Sequence, residues 1–261
     1  MQGKAIMPDG GHIEYEVLGD SGPYIFMGPY FLMTPPAPEL ARLQQVYLES
    51  LTARYRIILA NWPRGVGGSS PAKRSSMAWQ QAVEDIHAIA DAAGADTFAW
   101  WGYSFGAAIG IQLAAHSSRL SALVCGGFPP LWQPLSDMLS VSRKAAANPE
   151  SVADTLPGVS AEWLQQGVAF YESVAGLDES ACLRKIQCPC LVFHDVEDIF
   201  EGGGMKHDLS MRTRSAAADL KELGWDIAWV ETGLGHMAPA DPEQCLQAFS
   251  PFLDRVLRVN D

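Results

Sequence analysis

Short apolar runs of the kind a buried strand needs alternate along this chain with longer stretches in which apolar residues recur every three or four positions. Lys4 to Met7 and His12 to Leu18 are strand-like and joined by Pro8-Asp9-Gly10-Gly11, a turn-forming tetrad, so the chain is predicted to open with a β-hairpin. Tyr24 to Met27 is a third strand-like run. After a proline-rich loop from Pro29 to Pro38, Glu39 to Arg54 reads as an amphipathic helix and Arg56 to Ala60 as a buried strand. The glycine-rich segment from Asn61 to Ser70 closes that strand. Met77 to Ala93 then reads as helix, Thr97 to Trp101 as strand, Phe105 to His116 as helix and Leu120 to Cys125 as strand. This alternation predicts an α/β fold, a parallel sheet with helices on both faces.

The rhythm breaks after Gly126-Gly127-Phe128-Pro129-Pro130. From Leu131 to about Leu183 there are helical segments, Leu135 to Ala147 and Ala161 to Val174, but no strand-like run, which predicts an insertion over the sheet edge. Alternation resumes with Cys190 to His194 as strand, Lys206 to Leu223 as helix, Ile227 to Glu231 as strand and Pro242 to Val259 as helix. Glu201-Gly202-Gly203-Gly204 reads as a flexible rim to the site or, more plainly, as a loop between strand and helix. A chain of 261 residues suits one large domain of this class.

Composition narrows the partners. The formal charge of −12 argues against nucleic acid and against an anionic membrane surface, leaving a small molecule as the expected partner. Five cysteines, an odd number with no C-x-x-C pair, do not make a disulfide framework, and Cys188-Pro189-Cys190 is too tightly spaced for zinc ligation. His194-Asp195 could begin a metal site, but no third ligand has the spacing, so neither metal nor cofactor is expected. The N-terminus lacks the apolar core of a signal peptide and no apolar stretch is long enough to span a bilayer, so a cytoplasmic location is expected.

The chemistry centres on Gly102-Tyr103-Ser104-Phe105-Gly106, between the apolar run Phe98–Trp101 and a predicted helix. A serine held out on a sharp, strained turn needs residues without Cβ two positions before and two after it. Serine also needs a base to take its proton and a third group to orient that base. His236, in the glycine-bounded loop Gly233-Leu234-Gly235-His236-Met237 after the last predicted strand, emerges at the sheet edge where Ser104 does. Asp195, Glu197 and Asp198 follow the penultimate strand. Asp198 is the preferred acid because it lies farther past the strand end and can bend toward His236. An oxyanion would be met by the N–H of Phe105 and by one from the loop Gly28-Pro29-Tyr30-Phe31. Pro29 has no N–H, which points to Tyr30, with Phe31 as the alternative.

Taken together, these segments resemble the α/β-hydrolase superfamily over nearly the whole chain. Asn61-Trp62-Pro63-Arg64-Gly65-Val66-Gly67-Gly68-Ser69 is similar to the family's D-x-R-G-x-G-x-S turn, Pro189–Phe193 leading to Asp198 to its acid segment, and Gly235-His236 to its histidine loop. The resemblance implies the α/β-hydrolase fold: an eight-stranded, mostly parallel sheet with helices on both faces, a core of residues 1–128 and 184–261, and a small helical cap, 129–183, after the sixth strand. The chain departs from the family at Gly28-Pro29, where His-Gly is usual, at Asn61, where aspartate is usual, and at Asp195, where glycine is more common. Serine at position 104 argues against the branches that use an aspartate nucleophile, the haloalkane dehalogenases and epoxide hydrolases.

Large apolar residues near these loops, among them Phe31, Trp62, Phe170 and Phe200, divide between packing and pocket walls. Tyr103, Phe128, Trp132 and Met237 are the expected substrate contacts, and Arg64 reads as a structural hydrogen-bonding residue. An aromatic-lined site with few fixed charges suits an uncharged ester, thioester or lactone. The alternatives are C–C bond hydrolysis, perhydrolysis or a lyase or cyclase step by the same three residues, and a ligand receptor with little turnover.

Overall fold

The computed structural model describes residues 1–73, 77–131, 136–152, 160–202 and 204–257. Its strands are β1 (Gln2–Ile6), β2 (His12–Leu18), β3 (Tyr24–Met27), β4 (Arg56–Ala60), β5 (Phe98–Tyr103), β6 (Leu120–Gly126), β7 (Cys190–Asp195), β8 (Ile199–Gly202), β9 (Met205–Asp208) and β10 (Trp225–Val230). The helices are α1 (Pro38–Leu51), α2 (Trp79–Ala92), α3 (Phe105–His116), α4 (Ser136–Ala147), α5 (Ala161–Val174), α6 (Glu179–Leu183), α7 (Leu209–Ser215), α8 (Ala217–Glu222) and α9 (Pro242–Leu257). Eight strands form one sheet in the order β1-β2-β4-β3-β5-β6-β7-β10. Only the β1–β2 and β2–β4 pairings are antiparallel; from β4 to β10 every neighbour runs parallel.

Central β5 shows why the sheet must be covered on both sides. All six of its residues are buried, as a parallel strand between two helix layers requires. Phe98 and Trp100 point into a cluster with Ile86 of α2 and Ile109 of α3. Ala99, Trp101 and Tyr103 point into the opposite cluster, with Tyr47 of α1 and Phe249 of α9. Between β6 and β7 the regular elements among the described residues are helices α4, α5 and α6 and a 3₁₀ turn at Pro149–Val152.

One sequence expectation fails. Lys206 to Leu223 is not a continuous helix. Met205–Asp208 is a strand paired antiparallel with Ile199–Gly202, and helix begins only at Leu209, capped by the Asp208 carboxylate on Met211 N–H. Glu201 and Gly202, which read as part of a loop, end β8, and Gly204 precedes β9 at φ +74°.

The turn after β4 is held by buried charge. Arg64, 2% exposed, forks onto Asp85 of α2 through Nε (2.9 Å) and Nη2 (2.7 Å) and reaches Asp9 through Nη1 (2.7 Å). Asn61 donates to the Glu14 carboxylate (3.1 Å) and accepts from Thr34 N–H (2.9 Å). An aspartate here would set two carboxylates against each other.

Glu179 of α6 is an isolated buried acid. Burial pushes its carboxyl up to about 8, against one hydrogen bond from Leu131 N–H, and Oε2 has no partner among the described residues. The unfolded acid ionises near about 4.3. Between these values the unfolded chain releases a proton that the folded chain keeps. The contribution to stability is therefore complete below that range and declines as pH rises through it. Glu179→Gln should accordingly lose less thermal stability between pH 5 and pH 8 than the parent, by roughly 5–10 °C in Tm; equal losses in the two proteins would refute this.

Candidate active site

Ser104 occupies the single residue between the end of β5 and the start of α3, at φ 49° and ψ −114°. That conformation is strained for any residue with a Cβ, by about 1–3 kcal/mol, and persists only where its surroundings impose it. They do so here. Ser104 N–H is bonded to Gly126 O of β6 (2.7 Å), and Trp100 Nε1 donates to Gly106 O (3.0 Å), fixing the far side of the turn. A Cβ on Gly102 would lie 2.2 Å from Gly106 O, so the first glycine is required by contact.

The histidine and the acid arrive from β10 and β7. His236 lies in the 3₁₀ segment Gly235–Ala240, following the positive-φ glycines Gly233 and Gly235. Its Nε2 is 3.0 Å from Ser104 Oγ and its Nδ1 is 2.8 Å from Asp198 Oδ1. With Nδ1 protonated toward the carboxylate, Nε2 is left to accept the serine proton. Asp198 is fully buried. Burial alone would raise its pKa, but hydrogen bonds from His194 and then His236 overcome that and hold the carboxyl at about 2. Asp195 is occupied elsewhere: it accepts from Glu197 N–H (2.9 Å) and Thr232 N–H (2.8 Å), tying the ends of β7 and β10 together.

At the start of α3, Phe105 N–H is in the first helical turn, where backbone donors lack intrahelical acceptors. In the loop after β3, Phe31 N–H is bonded to Gly28 O (2.9 Å). With Pro29 lacking a donor, Tyr30 N–H is the one left, and it donates to no backbone carbonyl among the described residues. The loop lies against the elbow, since a Cβ on Gly106 would sit 3.1 Å from Pro29 Cδ.

Of the expected substrate contacts, Met237 is exposed beside His236. Phe128 is buried in the core cluster that holds Ala108, Phe170 and Tyr171. Tyr103 is buried with its ring centroid 5.6 Å from that of His236, backing the imidazole. Trp132 lies outside the described residues. Phe31 and Trp62 are core residues, each 2% exposed.

Residues 37–165 match a family model described as the alpha/beta hydrolase fold. A thermophilic esterase from Thermogutta terrifontis is 19% identical, with TM-score 0.67 over 98% of this chain and 99% of that one. A hydrolase from Pseudomonas aeruginosa PA01 is 18% identical, with TM-score 0.68 over 97% and 98%. The chain has the α/β-hydrolase fold. A third solved structure of similar shape is a bromoperoxidase from Bacillus anthracis, 17% identical, with TM-score 0.65 over 97% of this chain and all of that one. No curated protein matches by sequence.

Within this α/β-hydrolase-fold chain, two contacts to the site are not evident from sequence patterns. Phe200, on the unforeseen hairpin, sets its ring edge-to-face against His236 at 5.1 Å. His194 hydrogen-bonds Asp198 from the opposite side to His236 (2.7 Å). The signal for His194 was its position four residues before the acid across a strand end, a spacing informative only once the turn between them is known.

Proposed function

We propose that this chain is a serine hydrolase cleaving an ester, thioester or lactone of small to medium apolar character. The observation that carries this reading is the hydrogen-bonded series Ser104–His236–Asp198 at 3.0 and 2.8 Å, with the serine on a strained elbow. In the first half-reaction Ser104 Oγ attacks the carbonyl carbon while its proton passes to His236 Nε2. The tetrahedral oxyanion is met by the N–H groups of Phe105 and Tyr30, each worth about 2.7–4 kcal/mol in such sites. His236 then protonates the leaving group, and the acyl group stays on Ser104. In the second half-reaction His236 takes a proton from water, hydroxide adds to the acyl carbon, and collapse returns the proton to Ser104. Asp198 holds the imidazole in the required tautomer throughout. Residues 129–183 serve as a cap over the core of 1–128 and 184–261, with Phe128, Trp132, Tyr103 and Met237 about the acyl group.

A fluorophosphonate probe tests this: one adduct should form on the peptide containing Ser104 and be absent after His236→Ala. An unlabelled Ser104 in folded protein would overturn the reading and favour a receptor. The similarity to a bromoperoxidase supports a second use of the same acyl-enzyme. Hydrogen peroxide would replace water in deacylation and release a peracid. Halide oxidation dependent on an organic acid and peroxide, lost in Ser104→Ala, would establish it.

A further inference from the structure

Asp198 is gripped by two histidines, and the mechanism above uses only one. Oδ1 faces His236 Nδ1 at 2.8 Å; Oδ2 faces His194 Nδ1 at 2.7 Å. His194 in turn places Nε2 2.9 Å from Thr213 Oγ1 of α7. Thr213, His194 and Asp198 are all fully buried. A continuous hydrogen-bonded chain thus runs from Thr213 through His194, Asp198 and His236 to Ser104.

The proton positions follow from chemistry. An ionised carboxylate only accepts, so each Nδ1 that faces Asp198 carries a hydrogen. With His194 neutral, Nε2 is left to accept from the Thr213 hydroxyl. Other charges nearby are engaged elsewhere: Asp195 is bonded to Glu197 and Thr232, and Arg214 lies over the Trp229 ring, whose centroid is 6.1 Å from that of His194. The backbone is held as well, with Asp198 O accepting from Leu209 N–H (2.9 Å) and Ser210 N–H (3.3 Å).

We propose that His194 is a positioning residue: its Nδ1–H, oriented by Thr213, pins Asp198 Oδ2 so that Oδ1 alone is presented to His236. This rests on the serine-hydrolase reading. Without His194 the buried Oδ2 loses its donor. The carboxylate then becomes more basic and free to turn about its Cβ–Cγ bond. Its hold on the His236 proton tightens while its aim loosens.

The test compares His194→Phe, His194→Asn and Thr213→Val with the parent on p-nitrophenyl acetate across pH. Loss of one charge-assisted hydrogen bond predicts a fall in kcat/KM of about 10- to 100-fold in His194→Phe. The midpoint of its acidic limb should also move up by about 0.5 or more. Asparagine keeps an N–H in the Nδ1 position and should restore most of both. Thr213→Val should shift both in the same direction by less. A purely packing role would lower Tm without moving the limb. An unshifted limb in His194→Phe, or His194→Asn as impaired as His194→Phe, would overturn the proposal. If His194→Phe does not fold, the parent decides by proton NMR, which should show two low-field Nδ1–H resonances, from His194 and His236; a single one overturns the proposal. Failure of the hydrolase reading is seen separately, as absent fluorophosphonate labelling in a parent that still shows both resonances.

Discussion

Ser104→Ala should reduce turnover of a p-nitrophenyl acyl ester by about 10⁴- to 10⁶-fold, with the fold and thermal stability retained. Stability should hold because the hydroxyl makes one hydrogen bond, to His236, while the elbow is imposed by backbone and indole contacts that alanine keeps. Activity should collapse because no other nucleophile replaces the Oγ, and His236 Nε2 would have only water to activate. Residual hydrolysis above the uncatalysed rate is expected, since the Phe105 and Tyr30 N–H groups would still polarise a bound carbonyl. Steady-state kinetics on purified variant, with circular dichroism as the folding control, decide the matter. A rate within tenfold of the parent would sink the acyl-enzyme mechanism.

The largest stability effect is expected at Asp85→Ala. The parent places a doubly bonded ion pair in the interior, Arg64 at 2% and Asp85 at 0% exposed. The variant leaves the guanidinium in the same site with only Asp9, one third exposed, to balance it. Removing one partner of such a pair typically costs about 3–5 kcal/mol, and at about 2–4 °C per kcal/mol for a chain near this size Tm should fall by roughly 10 °C or more. Trp62 Nε1 would also lose its acceptor, Asp85 Oδ2 at 3.3 Å. Calorimetry showing a change of less than about 2 °C would mean that the pair contributes little.

How much of this was legible in the sequence depends on how local the cause is. Strand and helix periodicity is local, and it places all eight strands of the main sheet to within a few residues. The elbow is local too, because the collision of a Gly102 side chain with Gly106 O involves a short stretch of chain. Conversely, Met205-Lys206-His207-Asp208 carries no strong strand pattern. It becomes a strand because Ile199–Gly202 supplies a hydrogen-bonding partner, a tertiary effect. Core positions such as Phe31 and Trp62 cannot be told from pocket walls by residue type, since both demand a large apolar side chain. The second histidine on Asp198 needs the turn between them: Asp198 N–H bonds back to Asp195 O at 3.1 Å and folds the acid over His194.

The hairpin has an engineering consequence. Because Asp198 O is clasped by the N–H groups of Leu209 and Ser210, the excursion through β8 and β9 is closed at its base. The acid is anchored on the sheet side of that clasp, and only the excursion carries Phe200 to the face of His236. Exchange of β8 and β9, with Asp208 kept as the cap of α7, should therefore be tolerated. The hairpin's length and tip can be redrawn to reshape what approaches the serine, while the carboxylate beneath keeps its place.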